Sequence, residues 1–468
     1  MRLTFRRPSV RPTGRFAGVA ILAGLAALSV LGGCARPRSG RVPNGIVVIV
    51  IDTLRADHVG LYGSRWPATP QIDSLGPESV RFEQAYSQAS WTRPSVPSLF
   101  TGLYPSEHGI TGFDEESGRV VRGQILSDDA MTLAEGMKAA GYRTALAGYQ
   151  YQLSVKFNQQ QGFDFYRNNL SGGSGEINRT FLDWLDQEPQ KPFFVYLHYL
   201  DIHWPYCPSD SVRGRFDRTP TAFDTCDEKG ARALRTKLAS GALPTTAGDR
   251  RALDARYSEK LFELDSGIGS LFDELKRRGR WDDSLIVVTA DHGQEFGDHG
   301  GFDHGTSLYD ELLHVPFVWK LPSGFGSRRG RALPQLIEIR SLLPTLFDLV
   351  GLPTPKGVSA PSLIPWIEDR APAVPPVDFI AAESNGFYGV RDARWKLVVQ
   401  PNPGKVLLFD LAADPFEQTD VSATQPAALA AMQAKFRHWR AGLKPLPSAT
   451  AALDAETAAG LRSLGYLK

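Results

Sequence analysis

At 468 residues the chain is long enough for one large domain with a smaller one beside it. Its 52 basic side chains almost cancel its 51 acidic ones, and a net charge of +1 leaves no electrostatic footprint for nucleic acid. The 33 prolines are scattered and no internal repeat is visible, which excludes collagen-like and solenoid architectures.

The first residues depart from this ordinary composition. Arg2, Arg6, Arg7, Arg11 and Arg15 precede an apolar run from Phe16 to Leu31 that closes in Gly32, Gly33 and Cys34. A basic stretch, an apolar stretch and small residues form an export signal. The segment is similar to a bacterial lipoprotein signal, which implies lipid on Cys34 and a body facing the periplasm or cell surface. An uncleaved anchor is the alternative, at a length marginal for a membrane span. Residues 1–33 are thus expected as signal and 34–43 as tether. With Cys34 so used, Cys207 and Cys226 remain, as a disulfide of an exported protein or as two free thiols.

Ile46–Ile51 is a continuous β-branched run, the mark of a strand buried on both faces in a parallel sheet, and it ends in Asp52. Ligands of such sheets gather beyond the carboxyl ends of the strands, so Asp52 is a site candidate. Thr53, Arg55, Asp57 and His58 read as turn and helix-start residues. In Ser90–His108, Thr92 stands ahead of Pro94 and an apolar-spaced segment that Gly102 stops. The hydroxyl therefore lies near a helix N-terminus, where the dipole favours an alkoxide, although a threonine there commonly serves only as a cap. Asp128–Ala140 has helical spacing and stops at Gly141; Thr144–Ala147 reads as a short strand.

Phe193–Leu200 reads as a strand delivering Asp201 and His203, which in an extended segment project the same way and can share one cation. His198, inside that strand, reads as a core residue. Cys207–Arg250 is polar and aperiodic, an insertion over the site. Arg256–Arg278 predicts a long helix with Tyr257, Leu261, Leu264, Ile268, Leu271 and Leu275 on its buried stripe. A last apolar run, Leu285–Val288, delivers Asp291 and His292, with Asp298, His299, Asp303 and His304 among glycines beyond. Three strands ending in acids and imidazoles are the strongest physical sign of a metal-dependent site. The elements predict an α/β fold, a mostly parallel sheet sandwiched by helices, over residues 44–370. After a boundary at Ala371–Pro376, strands near Tyr388–Val390, Trp395–Val399 and Val406–Phe409 and a helix over Ala427–Trp439 predict a small antiparallel α+β subdomain over 377–445. Residues 446–468 read as an extended tail.

The order IDTLRADHVG, TRPSVPSLFTGLYPSEHG and TADHGQEFGDHG resembles the sulfatase branch of the alkaline phosphatase superfamily. The resemblance implies metal-assisted attack on a tetrahedral ester. In sulfatases the middle motif begins with a cysteine or serine that becomes formylglycine, and an arginine follows; here Thr92 and Val96 occupy those places. A threonine nucleophile is used by related phosphodiesterases, phosphonate hydrolases and phosphoethanolamine transferases. Carried over by resemblance, Asp52, Thr92, Asp291 and His292 bind one cation, and Asp201, His203 and His304 a second. His304 stands where sulfatases usually have lysine, which suits either a second metal or direct contact with the ester oxygens. Mixed nitrogen and carboxylate ligands make zinc the leading metal, with manganese also admissible. Asp298, His299 and Asp303 read as loop or supporting residues.

The expected activity is hydrolysis of phosphate or sulfate esters through Thr92, with His304 as the second catalytic candidate. The substrate would be a small-molecule, glycan or lipid-headgroup ester. Three alternatives stand beside it: a sulfuric ester hydrolase in the strict sense, a phospho-headgroup transferase, and a non-catalytic binding protein on a degenerate fold.

Overall fold

The structure, a computed structural model, describes residues 42–116, 120–219, 224–325, 328–370, 375–401 and 404–464. The expected signal and most of the tether, and part of the expected boundary at Ala371–Pro376, lie outside the described residues. Among the described residues no helix is long and apolar enough to cross a membrane.

Eight strands form the central sheet: β1 (Gly45–Ile51), β2 (Ser79–Tyr86), β3 (Arg143–Gly148), β4 (Phe165–Arg167), β5 (Phe193–Tyr199), β6 (Ser284–Thr289), β7 (Phe317–Lys320) and β8 (Arg331–Glu338). Their order is β8-β2-β7-β6-β1-β5-β3-β4. β1 pairs in parallel with β5 and β6, and β3 with β4 and β5, whereas β7 runs antiparallel to β2 and β6. Every residue of β1, β5 and β6 is buried, as continuous apolar runs covered on both faces require. The sheet is thus mostly parallel, as the β-branched runs predicted, and its three central strands all run toward one edge.

The long helix covers Ala247–Arg277 and begins earlier than the expected Arg256. Its start is set by a capping box in which Thr246 Oγ1 accepts from the Asp249 amide at 3.1 Å and the Asp249 carboxylate accepts from the Thr246 amide at 3.0 Å. The expected stripe from Tyr257 to Leu275 is buried against the sheet. The helix expected from Asp128 begins only at Leu133, where Thr132 caps it.

The C-terminal sheet is an antiparallel meander of Ile380–Ser384, Phe387–Arg391, Trp395–Val399 and Val406–Asp410, covered by the helix Pro426–Gly442. Trp439 of that helix meets Tyr104 of the main body edge to face at 5.4 Å. The segment read as an extended tail instead contains a strand, Ala449–Ala452, paired with Val120–Ile125, and a helix, Ala455–Ser463. In the insertion, Cys207 and Cys226 are disulfide-bonded, with Cα atoms 4.9 Å apart.

Candidate active site

The site lies beyond the carboxyl ends of β1, β3, β5 and β6. β1 turns sharply after Asp52: Thr53 has φ 66°, a left-handed conformation that a β-branched residue adopts only under constraint. The constraint is local hydrogen bonding. Thr53 Oγ1 donates to the Asp52 carbonyl at 2.6 Å, and Tyr257 of the long helix donates to the Thr53 carbonyl at 2.8 Å.

Thr92 opens a fully buried helix, Thr92–Thr101, that ends at Gly102 in the left-handed conformation. Ser95, one turn on, donates to the Asp291 carbonyl and so ties this helix to the end of β6. The Thr92 hydroxyl then sits 3.2 Å from Asp52 Oδ2 and 3.2 Å from His292 Nε2. Asp52, Asp291 and His292 are completely buried, and each offers a ligand atom within 4.8 Å of the others. His292 is turned by its own Nδ1, which donates to the Gly293 carbonyl at 2.9 Å and leaves Nε2 as the lone-pair nitrogen toward Thr92.

Burial raises the Asp291 carboxyl, and the charge of Asp52 raises it further. Burial also pushes Asp52 upward, but the hydrogen bond from His198 and the nearby His292 and His203 imidazoles reverse this and hold it low. His203 is lowered to about 4 by burial. Two carboxylates thus face one another beside His203 and His292, which burial holds toward the neutral form. Among the described residues, no group donates a hydrogen bond to the buried Asp52 Oδ1 or Asp291 Oδ2. Orphaned anionic oxygens beside a lone-pair imidazole nitrogen are the donor set of a divalent cation, and these residues fit one.

Two further residues touch Asp52. Gln150, beyond β3, donates to Asp52 Oδ2 at 2.8 Å, and His198 Nε2 lies 3.3 Å from the same oxygen. His198 is buried, as expected of a core residue, but it also orients a site carboxylate. It fits because Gly148 faces it across the sheet: a Cβ on Gly148 would lie 2.8 Å from the His198 Cβ and carbonyl oxygen.

Asp201 lies elsewhere. The chain turns immediately after β5, so the side-by-side projection expected of an extended strand does not arise. Its carboxylate accepts from the Ser174 amide at 2.9 Å, at the start of the helix Gly173–Leu185, and it stands outside the Asp52–Asp291–His292 group. His203 and His304 do converge on the site: the His304 ring lies 4.6 Å from that of His292 and 5.2 Å from that of His203. Of the three residues expected to hold a second cation, the two imidazoles lie together near His292 and the Asp201 carboxylate is bonded at Ser174. Asp298 pairs with Arg55 at 3.1 Å, and His299 bridges Glu311 at 2.7 Å and the Phe416 carbonyl at 3.0 Å. Asp303 is bound to His304 and Arg235. Val96 is buried in the core.

A cavity of about 820 Å³ opens on the site, lined by Trp91, Phe113, Gln124 and His304 of the main body, Arg235 of the insertion and Glu383 of the C-terminal sheet. A mostly parallel sheet that gathers a buried acid pair, an imidazole and a hydroxyl at a helix start fits a metal-assisted ester hydrolase, the class that the motifs imply. Comparison with known proteins narrows the class. The description "Sulfatase" matches residues 44–352, and "N-sulphoglucosamine sulphohydrolase, C-terminal" matches residues 297–440. The chain belongs to the sulfatase family. It is 23% identical over 449 residues to an arylsulfatase of Clostridium perfringens, covering 81% of this chain and 90% of that one. It is 23% identical over 503 residues to an N-acetylglucosamine-6-O-sulfatase of Bacteroides thetaiotaomicron, covering 86% of each. The fold is shared with a phosphonate monoester hydrolase of Agrobacterium radiobacter, with TM-score 0.68 at 22% identity over 85% of this chain and 95% of that one.

Proposed function

We propose that the protein hydrolyses phosphate or phosphonate esters through a covalent Thr92 intermediate. The observation that carries this reading is the Thr92 hydroxyl, buried at a helix start and 3.2 Å from both Asp52 and His292. A threonine cannot become formylglycine, so the side chain itself has to be the nucleophile. Its proton has an acceptor in Asp52 Oδ2, and the helix N-terminus favours the charge that develops on the oxygen. Thr92 Oγ1 attacks phosphorus as its proton passes to solvent, the bond from phosphorus to the leaving oxygen breaks, and the alcohol departs with a proton taken from solvent. Water then cleaves the Thr92 ester, restoring the hydroxyl and releasing the phosphate or phosphonate. His304 lines the cavity on the side where the ester enters, and His203 lies behind it.

Asp52, Thr92, Asp291 and His292 would hold one divalent cation, zinc favoured and manganese second, which when bound would lower the pKa of the Thr92 hydroxyl and polarise the ester. With the Asp201 carboxylate engaged at Ser174, the residues support one cation rather than two. The cavity has room for a sugar or a headgroup on the leaving side. A sulfate ester is the second reading, supported by the sulfatase relatives. Retention of two unneutralised buried carboxylates speaks against a purely binding role.

The test is turnover of aryl sulfate, phosphate monoester, phosphodiester and phosphonate monoester by metal-loaded protein. Thr92→Ala is expected to lose kcat by about a thousand-fold or more; equal turnover by the variant overturns the nucleophile. We further propose export and lipidation at Cys34, so that Cys34→Ala should move the protein from the membrane fraction to the soluble one.

A further inference from the structure

Asp303 lies in the short strand Phe302–Asp303, which pairs with Glu295–Phe296. Its φ is 85°, in the left-handed region where glycine is the unstrained residue. A side chain is nevertheless present there, buried and aimed at His304, with Asp303 Oδ1 2.9 Å from His304 Nδ1. A second acceptor meets the same nitrogen: Gln294 Oε1, also at 2.9 Å. The orientation of that amide is fixed by its other end. Gln294 Nε2 donates to Tyr206 Oη at 2.7 Å and to Asp303 Oδ1 at 3.4 Å, and a carboxylate oxygen can only accept.

The other Asp303 oxygen is bound by Arg235 Nε. Arg235 comes from the insertion helix Glu228–Ala239 and is itself buried, and its Nη1 donates to the Leu464 carbonyl just after the last helix. Two segments outside the central sheet therefore reach the active site through a single arginine.

We propose that Asp303 and Arg235 are positioning residues: they fix the ring and the Nδ1–H tautomer of His304, so that Nε2 presents its lone pair to the reacting centre. Two acceptors on Nδ1 leave the neutral ring this one tautomer. The insertion is then part of the catalytic apparatus, since Arg235 is the charged partner that holds the second Asp303 oxygen and keeps the first toward the imidazole. The proposal rests on the ester hydrolase reading for its consequence in turnover, though not for the tautomer itself.

The test uses the full chain, 15N-labelled and without added metal, in long-range 1H–15N correlation spectra, with His304 identified by the signals lost in His304→Gln. The wild type should show a protonated Nδ1 and a bare Nε2 for His304. Asp303→Gly combined with Gln294→Leu, which removes both acceptors from Nδ1, should give a mixture of tautomers, whereas Asp303→Gly alone leaves Gln294 Oε1 on Nδ1 and frees the ring to shift. In turnover, Asp303→Gly and Arg235→Gln should lower kcat by about 10- to 100-fold with KM within about twofold. Arg235→Lys should keep the wild-type tautomer and recover part of the kcat. An Nε2–H tautomer in the wild type overturns the proposal, as does unchanged kcat for Asp303→Gly in an active enzyme. A wild type that turns over none of the four ester types but shows the tautomer change supports the positioning and overturns the hydrolase reading alone.

Discussion

At the carboxyl ends of β1 and β6, Asp52 and Asp291 are buried side by side with imidazoles, and among the described residues neither pairs with a lysine or an arginine. Where the C-terminal sheet meets the loop after β6, the buried Glu417 and the half-buried Asp310 pack against Arg391 and Lys396. Lys396 Nζ lies 2.8 Å from Asp310 and 2.6 Å from Glu417, and Arg391 pairs with Asp310. Burial works against the charged Asp310, yet the two cations hold its carboxyl below the usual range. The first cluster removes two carboxylates from water and the second removes Glu417 and most of Asp310, which is costly without compensation. In the second cluster each carboxylate meets a cation, although burial, and the charge of Asp310 after it, raises Glu417 to about 7, so the cluster is closed within the chain as a joint between subdomains. In the first the negative charge is left to be neutralised from outside the chain, which is what a metal-dependent site requires.

The largest expected effect follows from breaking the first cluster. Asp291→Asn should lose kcat by about a thousand-fold or more and retain less than one equivalent of metal after gel filtration. Without metal the same variant should melt about 2 °C higher than wild type, because it removes one of two apposed buried charges. A lower melting temperature for the metal-free variant would mean that the acid pair is compensated within the chain. In the second cluster, Lys396→Met leaves Asp310 and Glu417 with one cation between them and should cost about 3 to 5 kcal/mol in denaturant unfolding. Its metal content and kcat should stay near wild type. Loss of metal with Lys396→Met would show that the two clusters are not independent.

Much of this contrast was legible in the chain. The β-branched runs of β1 and β6 announce strands covered on both faces, and Asp52, Asp291 and His292 follow them directly. Asp201 misled because the two-residue period of side chains holds only while the backbone stays extended, and here a turn begins at Asp201 itself. His198 was hidden for the opposite reason. In a strand buried on both faces no alternation separates a residue in the core from one that reaches the site at 3.3 Å. Gln150 follows a short strand, β3, as a neutral amide, and only the sheet order β1-β5-β3 brings it within reach of Asp52. Nothing local to Arg235 or Asp303 announces a pairing between an insertion helix and a glycine-rich loop; it exists only once both are folded over the cavity.

A third charged group, around His58, falls between the two clusters and sharpens the rule. Its Nδ1 lies 2.9 Å from Asp57 and its Nε2 2.6 Å from Asp254, so one imidazole serves two carboxylates. Burial alone would lower His58, but Asp57 and Asp254 outweigh it and raise the imidazole to about 9. A folded-state pKa above the usual 6.5 means that the protonated ring stabilises the fold. That contribution is complete below about pH 6.5 and is lost as pH rises through about 9. Because the Asp57 side chain is 59% exposed, solvent screening reduces the pair's worth, and about 2 kcal/mol is expected. The unfolding free energy of wild type should therefore exceed that of His58→Gln by about 2 kcal/mol more at pH 6 than at pH 10. Parallel curves across that range would show that His58 is neutral in the fold. Among the described residues, Asp57 would then be held by Arg55 alone, at 2.7 Å, and Asp254 would be left with the Trp66 indole as its donor.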